Sequence, residues 1–470
     1  MKKTISKMSF VSKIPYCYII SIYIYILFGI MFLEILMKEG LFVEKSNFKK
    51  FKFDYMWVTL ALCFLMVAIS LGLCSSGRNY YLTAITDALN IPRGAFSITN
   101  TIRFFTSTIV SLFFGKLVYK FGTKKLICAG FLFLIAFSII NALAESLYVF
   151  YLGSICLGIG LSWTGTSMVS VIINKWCKEN KGTITGAVLS ANGIGGAIAV
   201  QIITPIIFQE GNPFGYRTSY NMVTCVLIVM LVLIVLFFRE NPKGETEKTV
   251  VAAKKRKTRG EGWVGMEYKE VIKKPYFYLT LVCVLFTGMA LQGMGGVSLP
   301  HMYDLGIDVN YIALISSFGS ILLMFSKFGT GIMYDRLGMR LTVNIGYLCT
   351  WISLIGLIIL KNDTLGRVIM VLRAIFGCFA TPLETVMIPL IANELFGNKD
   401  FEKVVGVFVA VNYAGFALGS PLGNLCYDLL GSYNLSFLIF SFMMIFVTIA
   451  MQFVIKSAKR DRKAIESALV

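Results

Sequence analysis

The stretch GIMYDRLGMR (331–340) lies between two long apolar runs. GKLVYKFGTKK (115–125) repeats its frame 216 positions earlier, with Gly115 and Gly122 standing where Gly331 and Gly338 stand. A loop repeated at one fixed offset points to a duplicated half-chain. The duplication extends further: Gly186, Asn192, Gly195 and Ala197 recur as Gly406, Asn412, Gly415 and Ala417, each 220 positions on. Glycines at such places let helices approach closely, Asp335 can cap or pair across its loop, and Arg336 and Arg340 hold the turn on one side of a membrane. The earlier copy has Tyr119 where the later has Asp335, while Lys120, Lys124 and Lys125 keep its basic character.

Hydropathy decides the medium. With 57% hydrophobic and 15% charged residues and a mean hydropathy of +0.75, the chain is too apolar for a soluble enzyme with a polar shell. Apolar runs near 57–89, 97–117, 126–144, 148–173, 183–208 and 220–238 predict six spans, and runs near 276–299, 309–333, 342–360, 368–392, 404–428 and 434–455 predict six more. Each is long enough to cross ~30 Å of hydrocarbon. The expected fold is all-α and membrane-embedded, with two six-helix bundles (56–238 and 275–456) and a basic linker (239–274). An N-terminal extension (1–55) carries one extra apolar helix at 14–37, and a short tail (457–470) closes the chain.

A net charge of +19 raises nucleic acid as a partner, and the distribution argues against it. Of 44 Lys and Arg, 32 fall in segments that share one side, and the alternate loops hold five. That asymmetry places the basic loops, the KKRK run (254–257) and the C-terminus in the cytoplasm, against anionic lipid. A plasma-membrane protein acting as a monomer is expected. The eleven cysteines have no metal or redox spacing, and His301 is alone, so neither forms a metal site. No phosphate-binding loop, zinc pair or nucleophile motif is present, which leaves no catalytic residue, cofactor or enzyme activity to assign.

On Gly331, Asp335, Arg336, Gly338 and Arg340, echoed by Gly115, Lys120 and Gly122, the chain resembles the major facilitator superfamily of secondary transporters. The resemblance implies two parallel bundles with a substrate site between them near the midplane. AITDALNIPRGAFS, WCKENKGTITGAVLSANGIGG and a basic residue one turn before Gly331 resemble the oxalate/formate and monocarboxylate branch. In that branch the eighth span carries an arginine, where this chain has Lys327. Oxalate carriers also have a lysine in the eleventh span, and 404–428 contain none. One cation suits a monoanion better than a dianion.

Ionisable groups inside spans cost roughly 2.5 to 3.5 kcal/mol each unless they face a cavity or partner, so they are the candidate site. Lys327 is read as the cation that attracts a small organic anion, against the alternative of snorkelling to the interface. Arg78 and Arg103 are candidates for a second cation, and Tyr80 and Tyr81 line the cavity or belong to the interfacial belt. Asn192 and Asn412 are candidate substrate contacts on helices that serve first as packing surfaces. Glu384, deep in the tenth span, is either a partner for a nearby cation or a proton carrier, and Arg373 lies nearer that span's outer end. The alternatives are a drug or metabolite exporter of the same fold and a membrane sensor that binds without transporting.

Overall fold

The computed structural model describes residues 55–76, 81–177, 179–207, 209, 214–240 and 265–468, and every regular element among them is a helix. The first span is α1 (Tyr55–Val67), which runs on as a π-helix over Ala68–Ser76, with α2 (Tyr81–Leu89) after it. The second is α3 (Arg93–Leu112) and α4 (Phe114–Phe121), the third α5 (Thr123–Leu143), and the fourth α6 (Leu147–Thr164) with α7 (Thr166–Trp176). The fifth and sixth are α8 (Lys181–Ile207) and α9 (Gly215–Phe237). One short turn, α10 (Tyr268–Val271), precedes the seventh span, α11 (Pro275–Asp304). α12 (Val309–Ile358) carries the eighth and ninth spans, and α13 (Thr364–Ala380), α14 (Pro382–Thr385) and α15 (Met387–Phe396) make the tenth. α16 (Phe401–Leu430) and α17 (Asn434–Ala468) are the eleventh and twelfth.

Among the described residues, ten helices are long and apolar enough to cross a membrane, and the α3–α4 pair, bent by 57°, is an eleventh. α12 has 50 residues, about 75 Å at 1.5 Å per residue and more than twice the ~30 Å core. Gly338, at φ 80° and ψ 167°, interrupts it and divides it into two spans. The expected all-α, twelve-span core is therefore present. The extra apolar helix at 14–37 and most of the linker lie outside the described residues.

Three expected spans differ in detail, each for a local reason. The first is not one α-helix: Ser70 Oγ takes the Met66 carbonyl at 2.7 Å and Ser76 Oγ takes the Leu71 carbonyl, five residues back, at 3.1 Å. Such hydroxyls compete for the backbone and favour the wider π register. The tenth is broken where Pro382, which has no N–H, follows Thr381. The twelfth does not stop near 455 but continues to Ala468.

Packing repeats as the sequence does. In the first half, Gly72 of the first span meets Gly195 of the fifth so closely that an added methyl would lie 2.7 Å from its backbone. In the second half, a methyl added to Gly288 of the seventh would lie 2.8 Å from the Asn412 carbonyl, and one on Gly415 of the eleventh 2.5 Å from the Leu285 carbonyl. Spans two and four join through Ser107 Oγ to the Gly158 carbonyl (2.9 Å), as eight and ten do through Ser326 Oγ to the Cys378 carbonyl (2.7 Å). Spans three and six join through Ser138 Oγ to the Tyr220 carbonyl (2.7 Å), as nine and twelve do through Gln452 Nε2 to Asn344 Oδ1 (2.7 Å). Lipid gives helices no hydrophobic reason to associate, so small residues and hydroxyl bonds carry this packing.

Candidate functional site

The halves meet along two seams, the fifth span against the eighth and the second against the eleventh. Both are tightest at the signature-loop end. A methyl on Gly115 would lie 2.6 Å from Lys403 Cα, one on Gly406 2.9 Å from the Ser111 carbonyl, and one on Gly186 2.5 Å from the Lys327 carbonyl. Gly331 and Gly182 touch backbone to backbone. That end of the molecule is closed.

The later signature loop is also latched chemically. Asp335 accepts the Gly182 N–H at 3.0 Å and the Thr183 N–H at 2.7 Å. It thus caps the positive end of α8 from the other half of the molecule. Arg336 is exposed, and Arg340 donates through Nε to Gln452 Oε1 at 2.8 Å. The earlier loop lacks the latch: Tyr119 is 91% exposed, and Lys120 lies over the Phe121 ring next to it. Its carboxylate comes from elsewhere, since Glu240 Oε1 takes the Thr123 N–H at 2.6 Å and caps α5 within the same half. Gly122 has φ 79° and ψ 166°, nearly the Gly338 values, so the backbone turn is conserved where the side-chain chemistry is not.

About one helical turn inward of the Gly331 contact lies a buried charged pair. Lys327 is 2% exposed, so it does not snorkel to an interface, and it interacts electrostatically with Glu384 on α14. Glu384 Oε2 is buried without a hydrogen-bond partner, and the Glu384 carbonyl accepts from Asn412 Nδ2 at 3.4 Å. Arg103, 7% exposed on α3, reaches Ser75 Oγ at 2.8 Å. Tyr413 of α16 lies within electrostatic reach of both Arg103 and Glu384. Phe104 packs edge-on against Phe416 (5.3 Å) and tilted on Tyr413 (6.2 Å), which closes an aromatic floor between second and eleventh spans. Lys327 and Glu384 of the second half are thus neighbours, and Tyr413 lies between Glu384 and Arg103 of the first half in electrostatic terms.

The remaining candidates sort by position. Asn192 Oδ1 accepts from Ser76 Oγ at 3.2 Å, which places it between the first and fifth spans. Arg78 and Tyr80 lie outside the described residues. Tyr81 lines neither the seam nor a lipid belt: it is buried, stacks on Tyr220 at 4.2 Å, and bonds Ser219 Oγ at 2.7 Å. Its neighbour on the sixth span satisfies its hydroxyl inside the first half. Arg373 packs beside Gly356 and accepts Ser353 Oγ at its carbonyl, away from the seams. His301 bonds the Leu357 carbonyl at 3.0 Å and stands edge-on to Phe437, a structural role. Sequence reasoning missed Tyr413, Ser75 and Glu240. Tyr413 directly follows the repeated Asn412, which was the available signal.

A family model described as the Major Facilitator Superfamily matches residues 56–368 and 292–468. The sialic acid transporter NanX of Escherichia coli is 22% identical over 68% of this chain and 75% of its own. The multidrug resistance protein MdtG of Enterobacter lignolyticus is 24% identical over 70% and 78%. Monocarboxylate transporter 12 of Mus musculus is 22% identical over 69% and 70%. Among solved structures, the E. coli fucose:proton symporter FucP superposes with a TM-score of 0.65 at 12% identity, covering 85% of this chain and 99% of its own. The proton:xylose symporter XylE gives a TM-score of 0.65 at 13% identity over 85% and 95%. The paired seams, the apolar spans among the described residues and the family match agree that this chain belongs to the Major Facilitator Superfamily, a family of multi-pass membrane transporters.

Proposed function

We propose that the chain is a secondary active carrier of a small organic anion, a monocarboxylate by preference. It moves its cargo by rocking the bundles 56–238 and 275–456, joined by the linker 239–274, about the central seam. The observation that carries this reading is Lys327, 2% exposed and paired electrostatically with Glu384 where the halves meet. A buried ammonium is tolerated only with a counter-charge. In the empty site Glu384 supplies that charge. An arriving carboxylate takes over Lys327, and a proton then neutralises Glu384, so anion and proton move together. Arg103 offers the first half's cation to the same anion, and Asn412 orients the Glu384 segment.

Two of the relatives, the sialic acid transporter and monocarboxylate transporter 12, are named for acids, which supports an acid cargo. The superposed sugar carriers are named as proton symporters, which supports proton coupling. By the basic-loop rule the closed signature-loop end faces the cytoplasm, as does the C-terminus, in the plasma membrane. The protein works as a monomer. A second reading, export of amphipathic compounds, draws on the MdtG relatives and the Phe104, Tyr413 and Phe416 floor.

Counterflow of labelled mono- and dicarboxylates in proteoliposomes, with and without a pH gradient, tests the proposal. Lys327→Ala should abolish saturable anion uptake, and Glu384→Gln should retain anion exchange while losing its response to the gradient. Unchanged anion affinity in Lys327→Ala, with competition by hydrophobic cations, would transfer the assignment to the exporter reading. Binding of label without accumulation would leave a sensor.

A further inference from the structure

Where the ninth and twelfth spans emerge on the signature-loop side, a pocket of about 260 Å³ opens between Arg340, Gln452, Phe453, Ile455, Lys456 and Lys459. At ~30 Å³ per water it has room for roughly eight or nine waters, enough for a phosphodiester group. Three of its six residues are cations and none is a carboxylate. Arg340 is held in place: its Nε donates to Gln452 Oε1 at 2.8 Å, and Gln452 Nε2 donates to Asn344 Oδ1 at 2.7 Å. This fixes the guanidinium and leaves its terminal nitrogens for another acceptor.

Acids on the same face of the protein are committed to other cations. Asp461 pairs with Lys274 at 2.6 Å, and Glu394 lies 3.8 Å from Arg462. Among the described residues no carboxylate lies within 4.0 Å of the Arg340, Lys456 or Lys459 nitrogens. Apolar stripes run away from the pocket along both helices, with Leu341 and Leu348 exposed on the ninth span and Ile449 and Phe453 on the twelfth. A rigid cationic cup at the headgroup level, above two lipid-facing stripes, matches one kind of ligand: an anionic headgroup with acyl chains attached.

We propose that this pocket binds the phosphate of an anionic phospholipid in the leaflet on the signature-loop side. Arg340 forks onto the phosphate oxygens, Lys456 and Lys459 neutralise it as point charges, and the acyl chains follow the stripes. Because Arg340 sits in the signature loop and the lysines sit on the twelfth span, the lipid would bridge two elements of the second half. The site is separate from the central seam, and its test does not depend on the transported substrate.

The test is native mass spectrometry of the full-length protein, purified from nanodiscs of phosphatidylcholine containing phosphatidylglycerol, with titration of each lipid. The wild type should retain phosphatidylglycerol in preference to phosphatidylcholine. Each basic group at an anionic surface is worth roughly fivefold, so Arg340→Gln with Lys456→Gln and Lys459→Gln should weaken retention about 100-fold. The exposed pair Lys456→Gln and Lys459→Gln alone should weaken it roughly 25-fold, which guards against a folding defect in the triple variant. Lys120→Gln with Lys125→Gln, on the other signature loop, should weaken retention less than the pocket pair does, and equal weakening would overturn the proposal in favour of a diffuse basic surface. Equal retention in the Lys456→Gln, Lys459→Gln variant and the wild type would overturn the proposal. Displacement of the lipid by inorganic phosphate at the same concentration would also overturn it, leaving a soluble-anion site.

Discussion

Asp335 reaches across the molecule to the start of the fifth span, where its two carboxylate oxygens take the N–H groups of Gly182 and Thr183 at 3.0 and 2.7 Å. It is a helix cap supplied by the opposite half, so it exists only while the signature-loop end is closed. The pseudo-equivalent position holds Tyr119, which is 91% exposed and caps nothing. Closure is therefore latched by this cap along the fifth–eighth seam, and Asn393 Nδ2 of the tenth span adds a bond between the halves to Asn174 Oδ1 of the fourth at 3.1 Å.

Replacing Asp335 with Ala should remove a cap worth about 1 kcal/mol and shift the balance roughly fivefold towards the open loop end. Spin labels on the loop-side ends of the fifth and eighth spans would report a larger long-distance population by pulsed electron resonance. Labels across the second and eleventh spans should show the same change, because the halves move as bodies. An unaltered distance distribution would mean that glycine packing and the Asn393–Asn174 bond keep that end shut without the cap.

Lys327 and Glu384 predict a non-additive stability cycle. Lys327→Met alone strands a buried carboxylate and should cost about 3 to 5 kcal/mol, while Lys327→Met with Glu384→Gln should recover most of that loss. Thermal unfolding in detergent, followed by intrinsic fluorescence, reads the effect. Additive losses would show that the two charges do not stabilise one another.

Three glycines should tolerate a methyl very differently. Gly186→Ala would drive Cβ to 2.5 Å from the Lys327 carbonyl and wedge the fifth span off the eighth, whereas Gly329→Ala meets nothing within 4 Å. Gly338→Ala also meets nothing, yet its φ of 80° is unfavourable for any L side chain and should cost about 1 to 2 kcal/mol. The expected order of melting temperatures is Gly329→Ala above Gly338→Ala above Gly186→Ala.

Outside the spans, Lys399 Nζ lies 2.8 Å from Glu267 Oε1 and holds that carboxyl below its ordinary value of 4.5. A carboxyl depressed in the folded state stabilises it above the unfolded pKa, and that contribution disappears as pH falls through the folded value. Lys399→Ala should bring the Glu267 titration, followed by carbon NMR, back towards 4.5. Because the pair is solvated, the melting temperature at neutral pH should fall only slightly.

The architecture was legible because membrane spans and their duplication are written in long, redundant patterns. The offset of 216 between Gly122 and Gly338 marks two backbone turns that agree within a degree or so in both dihedrals. The charged seam was legible in part. Lys327 and Glu384 stand out in sequence because ionised groups are rare in apolar runs, but their juxtaposition depends on how the eighth and tenth spans pack. Tyr81 reads in sequence as either a cavity or an interfacial-belt residue, and its hydroxyl bonds Ser219 instead, a pairing between residues 138 positions apart that no local pattern reveals. The Glu240 cap on α5 was invisible for the same reason. Charge was not duplicated with the fold: the position 216 residues before Lys327 is Ser111.

The π-helical segment of the first span places adjacent hydroxyls on separate neighbours, Ser75 on Arg103 and Ser76 on Asn192. Such a segment accommodates one surplus residue per turn, and reverting to the tighter winding would swing everything beyond it by about 100°. One slip of register would therefore shift the hydroxyl partners of Arg103 and Asn192 together. The first half thus ties the second and fifth spans to neighbouring positions of one π-helical turn.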